Sequence, residues 1–181
     1  MRVSAVVPLL PRLLSLTLAL TVGAAVAAAC SATPLPGTQY GTYKVTGQTE
    51  TNSCGPGLDS PDPWVFNAQL SQDGTTIYWS FIDGNAPLSG ALVSDGVTLT
   101  TSTTANVDAT DAGAGPCTMT RADAVVLTFA SGSPPPSFTG TITYSFTVPS
   151  GSTCTDQLAS SGGQYSTLPC TLEYTVTADR Q

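Results

Sequence analysis

Acid–base chemistry in this chain falls to carboxylates, because its 181 residues include no histidine. Two pairs stand close together: Asp59 and Asp62 in Leu58-Asp59-Ser60-Pro61-Asp62-Pro63, and Asp108 and Asp111 in Asp108-Ala109-Thr110-Asp111. Two carboxylates at a suitable separation hydrolyse glycosidic bonds, one as acid and one as base or nucleophile. Oxygen ligands on a flexible loop also suit calcium, although the Asp-x-Asp-x-Asp-Gly spacing of a dedicated loop is absent. Aspartates in Pro- and Gly-rich loops more often bond their own turns, and that reading is preferred. The missing histidine removes His-based proton transfer, most zinc chemistry and Ser/His/Asp or Cys/His triads. Serine and threonine abound, but a nucleophilic hydroxyl needs a base, and no recognisable motif supplies one. An enzyme is therefore not expected, and no catalytic residue, metal ligand or cofactor is assigned.

Cysteine offers redox, metal or structural chemistry. Setting Cys30 aside leaves Cys54, Cys117, Cys154 and Cys170, an even set without CxxC spacing. In an oxidising compartment these form two disulfides with three possible connectivities. Cys154 and Cys170 flank one loop, so Cys154–Cys170 with Cys54–Cys117 is the preferred pairing. Loop-closure entropy gives about 3 kcal/mol for the short bridge and about 4 kcal/mol for the long one. Lys44 and Arg121 are expected to be the basic residues within the folded part, with Arg180 beside it. An arginine there closes a barrel end or meets a carboxylate ligand, but a solvated charge is the preferred reading.

The elements that must position these groups are strands. From Tyr40 onward apolar residues alternate with polar ones, most clearly in Phe138-Thr139-Gly140-Thr141-Ile142-Thr143-Tyr144-Ser145-Phe146-Thr147-Val148. Such alternation marks antiparallel strands with one buried and one solvated face. Asp73-Gly74, Asp83-Gly84 and Asp95-Gly96 recur as hairpin turns, so 64–71, 75–82, 88–94 and 97–105 are expected as sequential neighbours in a meander. The segment 117–130 reads as one long strand or as a hairpin near Arg121-Ala122-Asp123. The fold class is all-β, with eight or nine strands. Closure into an up-and-down barrel removes exposed edges, and a two-sheet sandwich is the alternative. The apolar phases carry Trp64, Phe66, Trp79, Phe81, Phe138, Tyr144, Phe146 and Tyr174. These rings either form a sheet core or line a cavity for a small apolar ligand.

The N-terminus adds an address. Arg2, an uncharged apolar run over 13–29 and small residues before Cys30 read as a secretory signal over 1–29. Val26-Ala27-Ala28-Ala29-Cys30 resembles the lipobox of bacterial lipoproteins, with Ala27 where that family usually has leucine. The resemblance implies a diacylglycerol thioether on Cys30, which then becomes the N-terminus. Ser31, where the family's inner-membrane retention signal is commonly Asp, implies outer-membrane sorting. Acyl chains on Cys30 would anchor the protein stably in the cell envelope. Residues 30–39 are then a lipid-bearing tether and 40–181 a single domain. Removing 1–29 leaves 3 basic against 12 acidic residues, a net of −9 that excludes nucleic-acid binding. Gly41-Thr42-Tyr43-Lys44-Val45 resembles the Gly-x-aromatic entry of lipocalin-like barrels, with Tyr43 where that family has Trp. The expected function is non-enzymatic: an envelope lipoprotein binding a small apolar ligand in its barrel. The alternative is a packed structural module whose loops at Asp59, Asp108 and Gly162-Gly163 meet an envelope protein or glycan. Glycoside hydrolysis is a distant third.

Overall fold

The computed structural model describes residues 34–58, 61–81, 87–107 and 117–181. The signal segment, Cys30, Asp59, Asp83-Gly84, Asp108 and Asp111 lie outside them. Eight strands follow one another: β1 (Thr38–Asn52), β2 (Trp64–Asp73), β3 (Thr76–Phe81), β4 (Leu88–Val93), β5 (Gly96–Val107), β6 (Cys117–Phe129), β7 (Ser137–Thr147) and β8 (Cys170–Arg180). Each pairs antiparallel with its neighbour and β8 returns to β1, so the meander is a closed barrel. The sandwich alternative is excluded, and 117–129 is a single strand. Closure gives each strand two neighbours and divides it into inward and outward residues, although the β4–β5 ladder is confined to Leu92↔Val97 and Val93↔Gly96 and leaves β5 beyond it paired with β6 alone.

Turn chemistry works as expected with a shift of one residue. Asp73 pairs with Thr76, so the tight turn is Gly74-Thr75, with Gly74 at φ 58°. Val93 pairs with Gly96, and Ser94, also at φ 58°, heads the second turn. Bending the sheet into a small barrel brings neighbouring backbones close at Gly140, where a Cβ would lie 2.0 Å from the Val126 carbonyl oxygen. In β1 the curvature is taken up by register shifts between Gln39 and Gly41 and between Thr49 and Thr51.

The two ends of the barrel differ. At one end the connections are 74–75, 94–95 and 130–136; at the other they are 53–63, 82–87, 108–116 and 148–169. The short-loop end is packed. Trp79, Tyr43 and Phe138 are fully buried, together with Leu70, Ile77, Leu99 and Leu127. Trp79 meets Phe138 edge-on at 5.7 Å, and Phe138 meets Tyr43 at 5.2 Å. The segment before β1 belongs to this end. Leu35 is buried, the Pro36 carbonyl accepts a bond from Ser71 Oγ at 2.6 Å, and β1 starts at Thr38. The folded domain thus reaches back at least to Leu35, which shortens the tether expected over 30–39.

Tyr43 seals this end by donating its hydroxyl to the Pro135 carbonyl at 2.7 Å across the β6–β7 turn. Burial, reinforced by Tyr40 and opposed by Arg180, pushes its pKa from 10.0 up to about 12. A raised pKa means that the neutral phenol contributes stability fully below pH 10 and loses it as pH climbs through about 12. Replacing Tyr43 with Phe should cost about 1 kcal/mol at neutral pH through the lost hydrogen bond. Above pH 10 that gap should close, because the variant has no phenol to ionise. Denaturant unfolding of both proteins across pH 8–11.5 checks this, and a gap that does not change with pH would contradict it.

Candidate functional site

The long-loop end is lined by residues from the same inward phases, but of a different kind. Along β5 the inward residues Val97 and Leu99 are buried, whereas Thr101, Thr103 and Ala105 are exposed although they point to the same side. Small side chains replace large ones, and the barrel is left unfilled. The result is a cavity of about 570 Å³. Phe81, Leu88, Val107, Met119, Phe146 and Tyr165 form most of its apolar wall. Its volume lies in the range that holds a small organic molecule. A second recess of about 240 Å³, bordered by Trp64, Tyr144 and Leu172, adjoins it through Arg121 and Phe146.

Arg121 and Asp123 stand on the inward phase of β6 and line this cavity. Their positions follow from register: Arg121 lies between Thr103 on β5 and Phe146 on β7, and Asp123 lies between Thr101 and Tyr144. The guanidinium grips the carboxylate side-on, Nε donating to Oδ1 at 2.7 Å and Nη2 to Oδ2 at 2.8 Å. It also lies 4.6 Å from the centroid of the Tyr144 ring, within cation–π range. Burial works against the arginine's charge, but the Asp123 hydrogen bonds and negative charge outweigh it and raise the pKa further. The Arg121 side chain remains 52% exposed, against 17% for Asp123.

A cap formed by 148–169 flanks the cavity. It contains two short 3-10 turns, Thr155–Gln157 and Ala159–Ser161, and a parallel bridge between Leu158 and Tyr165. Tyr165 packs on Phe146 at 5.4 Å, and burial raises its hydroxyl pKa. The expected disulfide pairing is corrected here. The bridges are Cys54–Cys170, with a Cα separation of 4.9 Å, and Cys117–Cys154, at 4.8 Å. Barrel closure is the reason. Extending the β1–β8 register from Asn52↔Leu172 by two residues sets Cys54 opposite Cys170. Cys154, just past β7, reaches the start of β6, where Ser152 Oγ also accepts from the Thr118 N–H. The bridged loops span 116 and 37 residues, corresponding to about 5 and about 4 kcal/mol of loop-closure entropy. Cys117–Cys154 fastens the cap to the mouth, as does the bond from the Ser166 N–H to the Cys54 carbonyl, while Cys54–Cys170 ties the start of β8 to the residues just past β1.

Of the eight aromatics expected to line a cavity, Phe81 and Phe146 border the larger recess, and Trp64, Tyr144 and Phe146 border the smaller one. Trp79, Phe138 and Tyr174 are buried core residues, and Phe66 packs against them from the side. Two polar atoms inside this core, Trp79 Nε1 and the Tyr174 hydroxyl, have no hydrogen-bond partner in the described structure. Lys44 is exposed on the outer face of β1. Asp62 is exposed at the long-loop end. Among the described residues Asp123 is the carboxylate bordering the cavity, and no group of three or more His, Cys, Asp or Glu is arranged to hold a metal ion. Sequence reasoning missed the small inward residues of β5, the Asp123 partner and the contribution of Tyr165. The first of these was visible as the change from Val97 and Leu99 to Thr101, Thr103 and Ala105 on one phase. No family model, curated protein or solved structure matches this chain.

Proposed function

We propose that this chain is a non-enzymatic binding protein of the cell envelope that holds one small, largely apolar molecule in the mouth half of its barrel. The observation that carries this reading is the 570 Å³ cavity walled by Phe81, Leu88, Met119 and Phe146 in a barrel whose other half is packed solid. Two disulfides keep its rim in place, which lowers the cost of pre-organising an open site. The lipobox resemblance at Cys30 supports the envelope part of this reading, with the protein anchored in the outer membrane by acyl chains. Leu35 is buried and lies five chain steps beyond Cys30, a reach of at most about 18 Å. Leu35 belongs to the short-loop end, so a lipid on Cys30 would turn that end toward the bilayer and the mouth away from it. β6, at 13 residues, runs about 43 Å, so a tilted barrel would hold the mouth about 30 Å above its base. This orientation favours exchange with the aqueous envelope space or a partner over direct extraction from the anchoring membrane.

The binding claim is tested with N-phenyl-1-naphthylamine, a neutral apolar probe whose emission rises on leaving water. The protein should saturate at one probe per chain, and Ala105→Trp, which fills the cavity from β5, should weaken binding at least tenfold while keeping the β-sheet circular dichroism. Absence of saturable binding, or equal binding by the filled variant, would overturn the reading. The anchor is tested separately. Cys30→Ser should move the protein from the membrane to the soluble fraction, and a variant that stays in detergent-extractable membranes would show the lipid assignment to be wrong.

A further inference from the structure

Three basic side chains lie among the described residues, Lys44, Arg121 and Arg180, and Arg121 alone borders the cavity. The wall around it is otherwise apolar apart from Thr101, Thr103, Asp123 and the Tyr165 hydroxyl. Its pairing with Asp123 does not exhaust it. A guanidinium carries five N–H donors arranged along three edges. Asp123 takes the side-on edge through Nε and Nη2, and among the described residues no acceptor meets Nη1. The end-on edge, formed by Nη1 and the second proton of Nη2, therefore remains available on a side chain that is half exposed and borders both recesses. The Tyr144 ring against the guanidinium and the clamp by Asp123 restrict its rotation, so little entropy remains to be lost when a ligand binds.

We propose that the molecule held in the mouth is an amphiphile with a carboxylate, which accepts two hydrogen bonds from the end-on edge of Arg121 while its apolar body lies against Phe81, Leu88, Met119 and Phe146. This rests on the cavity reading above and adds the chemical class of the ligand. Carboxylates match the arginine fork bidentately, and such charge-assisted pairs are about twice as strong as neutral ones. Thr103 is the cross-strand partner of Arg121 on the same inward phase, so the wall beside the carboxylate is polar. The protein's overall charge of −7 opposes any anion at long range. A preference for the acid over its neutral analogue must therefore arise locally, and Arg121 is the group placed to produce it.

The test uses three probes that share an apolar body: 1-naphthaleneacetate, 1-naphthaleneacetamide and 1-naphthaleneethylamine, titrated by calorimetry against the protein at low salt. The acid should bind at least tenfold tighter than the amide, and the amine weakest. Arg121→Gln should lose that preference by weakening the acid at least tenfold and the amide less than twofold, which also shows that the variant is folded. Arg121→Lys keeps the charge but lacks the fork, and should recover less than half of the preference on a logarithmic scale. Equal affinities for acid and amide in the unaltered protein, or a preference for the amine, would overturn the carboxylate assignment and leave the cavity reading standing. Failure of all three probes, together with N-phenyl-1-naphthylamine, would overturn both.

Discussion

The ladder between the first and last strands governs everything else in this protein. Without the pairing of β1 with β8 the meander would be an open sheet with two exposed edges and an apolar face in water. With it, each strand has an inside, and the period-two pattern becomes a sorting rule for side chains. The seam also brings together residues far apart in the chain. Cys54 and Cys170 meet because they extend that ladder, and their bridge locks the closure at the mouth. At the opposite end of the same seam, the Gln181 N–H bonds to the Thr42 carbonyl.

Closure creates an interior whose filling then decides what the barrel can do. Aromatic and branched side chains fill the short-loop half, led by Trp79, Tyr43 and Phe138. Toward the mouth, β5 turns to Thr101, Thr103 and Ala105, and β6 places Arg121 and Asp123 where its deeper residues are Val125 and Leu127. Charge inside a barrel is costly unless paired, and these two are paired in the strong bidentate geometry. The arrangement divides labour: one half supplies stability, and the other forgoes burial in exchange for a space with a defined polar point. The two disulfides and the cap sit at the half that lacks a packed core. There, covalent cross-links stand in for hydrophobic burial.

Much of this was legible in the sequence because period-two patterning is a local signal. Phe138, Ile142 and Tyr144 on one phase identify β7, and Asp73-Gly74 identifies a hairpin, without knowledge of any other strand. Barrel closure follows from the number of strands and the need to cover their edges. The disulfide pairing is not a local signal, because only in an open chain does flanking one loop bring Cys154 to Cys170. Loop length favours that pairing, but the seam sets Cys170 against Cys54 instead. The cavity was ambiguous for a related reason. Rings on inward phases fill or line a barrel according to depth, and depth depends on register across all eight strands. Trp79 and Phe81 are two residues apart on one strand, yet one is core and the other cavity wall. Taken alone in the sequence, Arg121 reads as a solvated charge. Only its register against Thr103 and Phe146 turns it inward.

The most direct test of closure is disulfide mapping of the unreduced protein. Beyond residue 30, trypsin cuts after Lys44, Arg121 and Arg180, separating 45–121, which holds Cys54 and Cys117, from 122–180, which holds Cys154 and Cys170. A barrel sealed by β1 and β8 predicts that the two fragments stay joined until reduction. Further cleavage with chymotrypsin should then isolate a Cys54 peptide bound to a Cys170 peptide. Two separate fragments, each bridged within itself, would mean that β1 and β8 are not neighbours, and would contradict the account at its base.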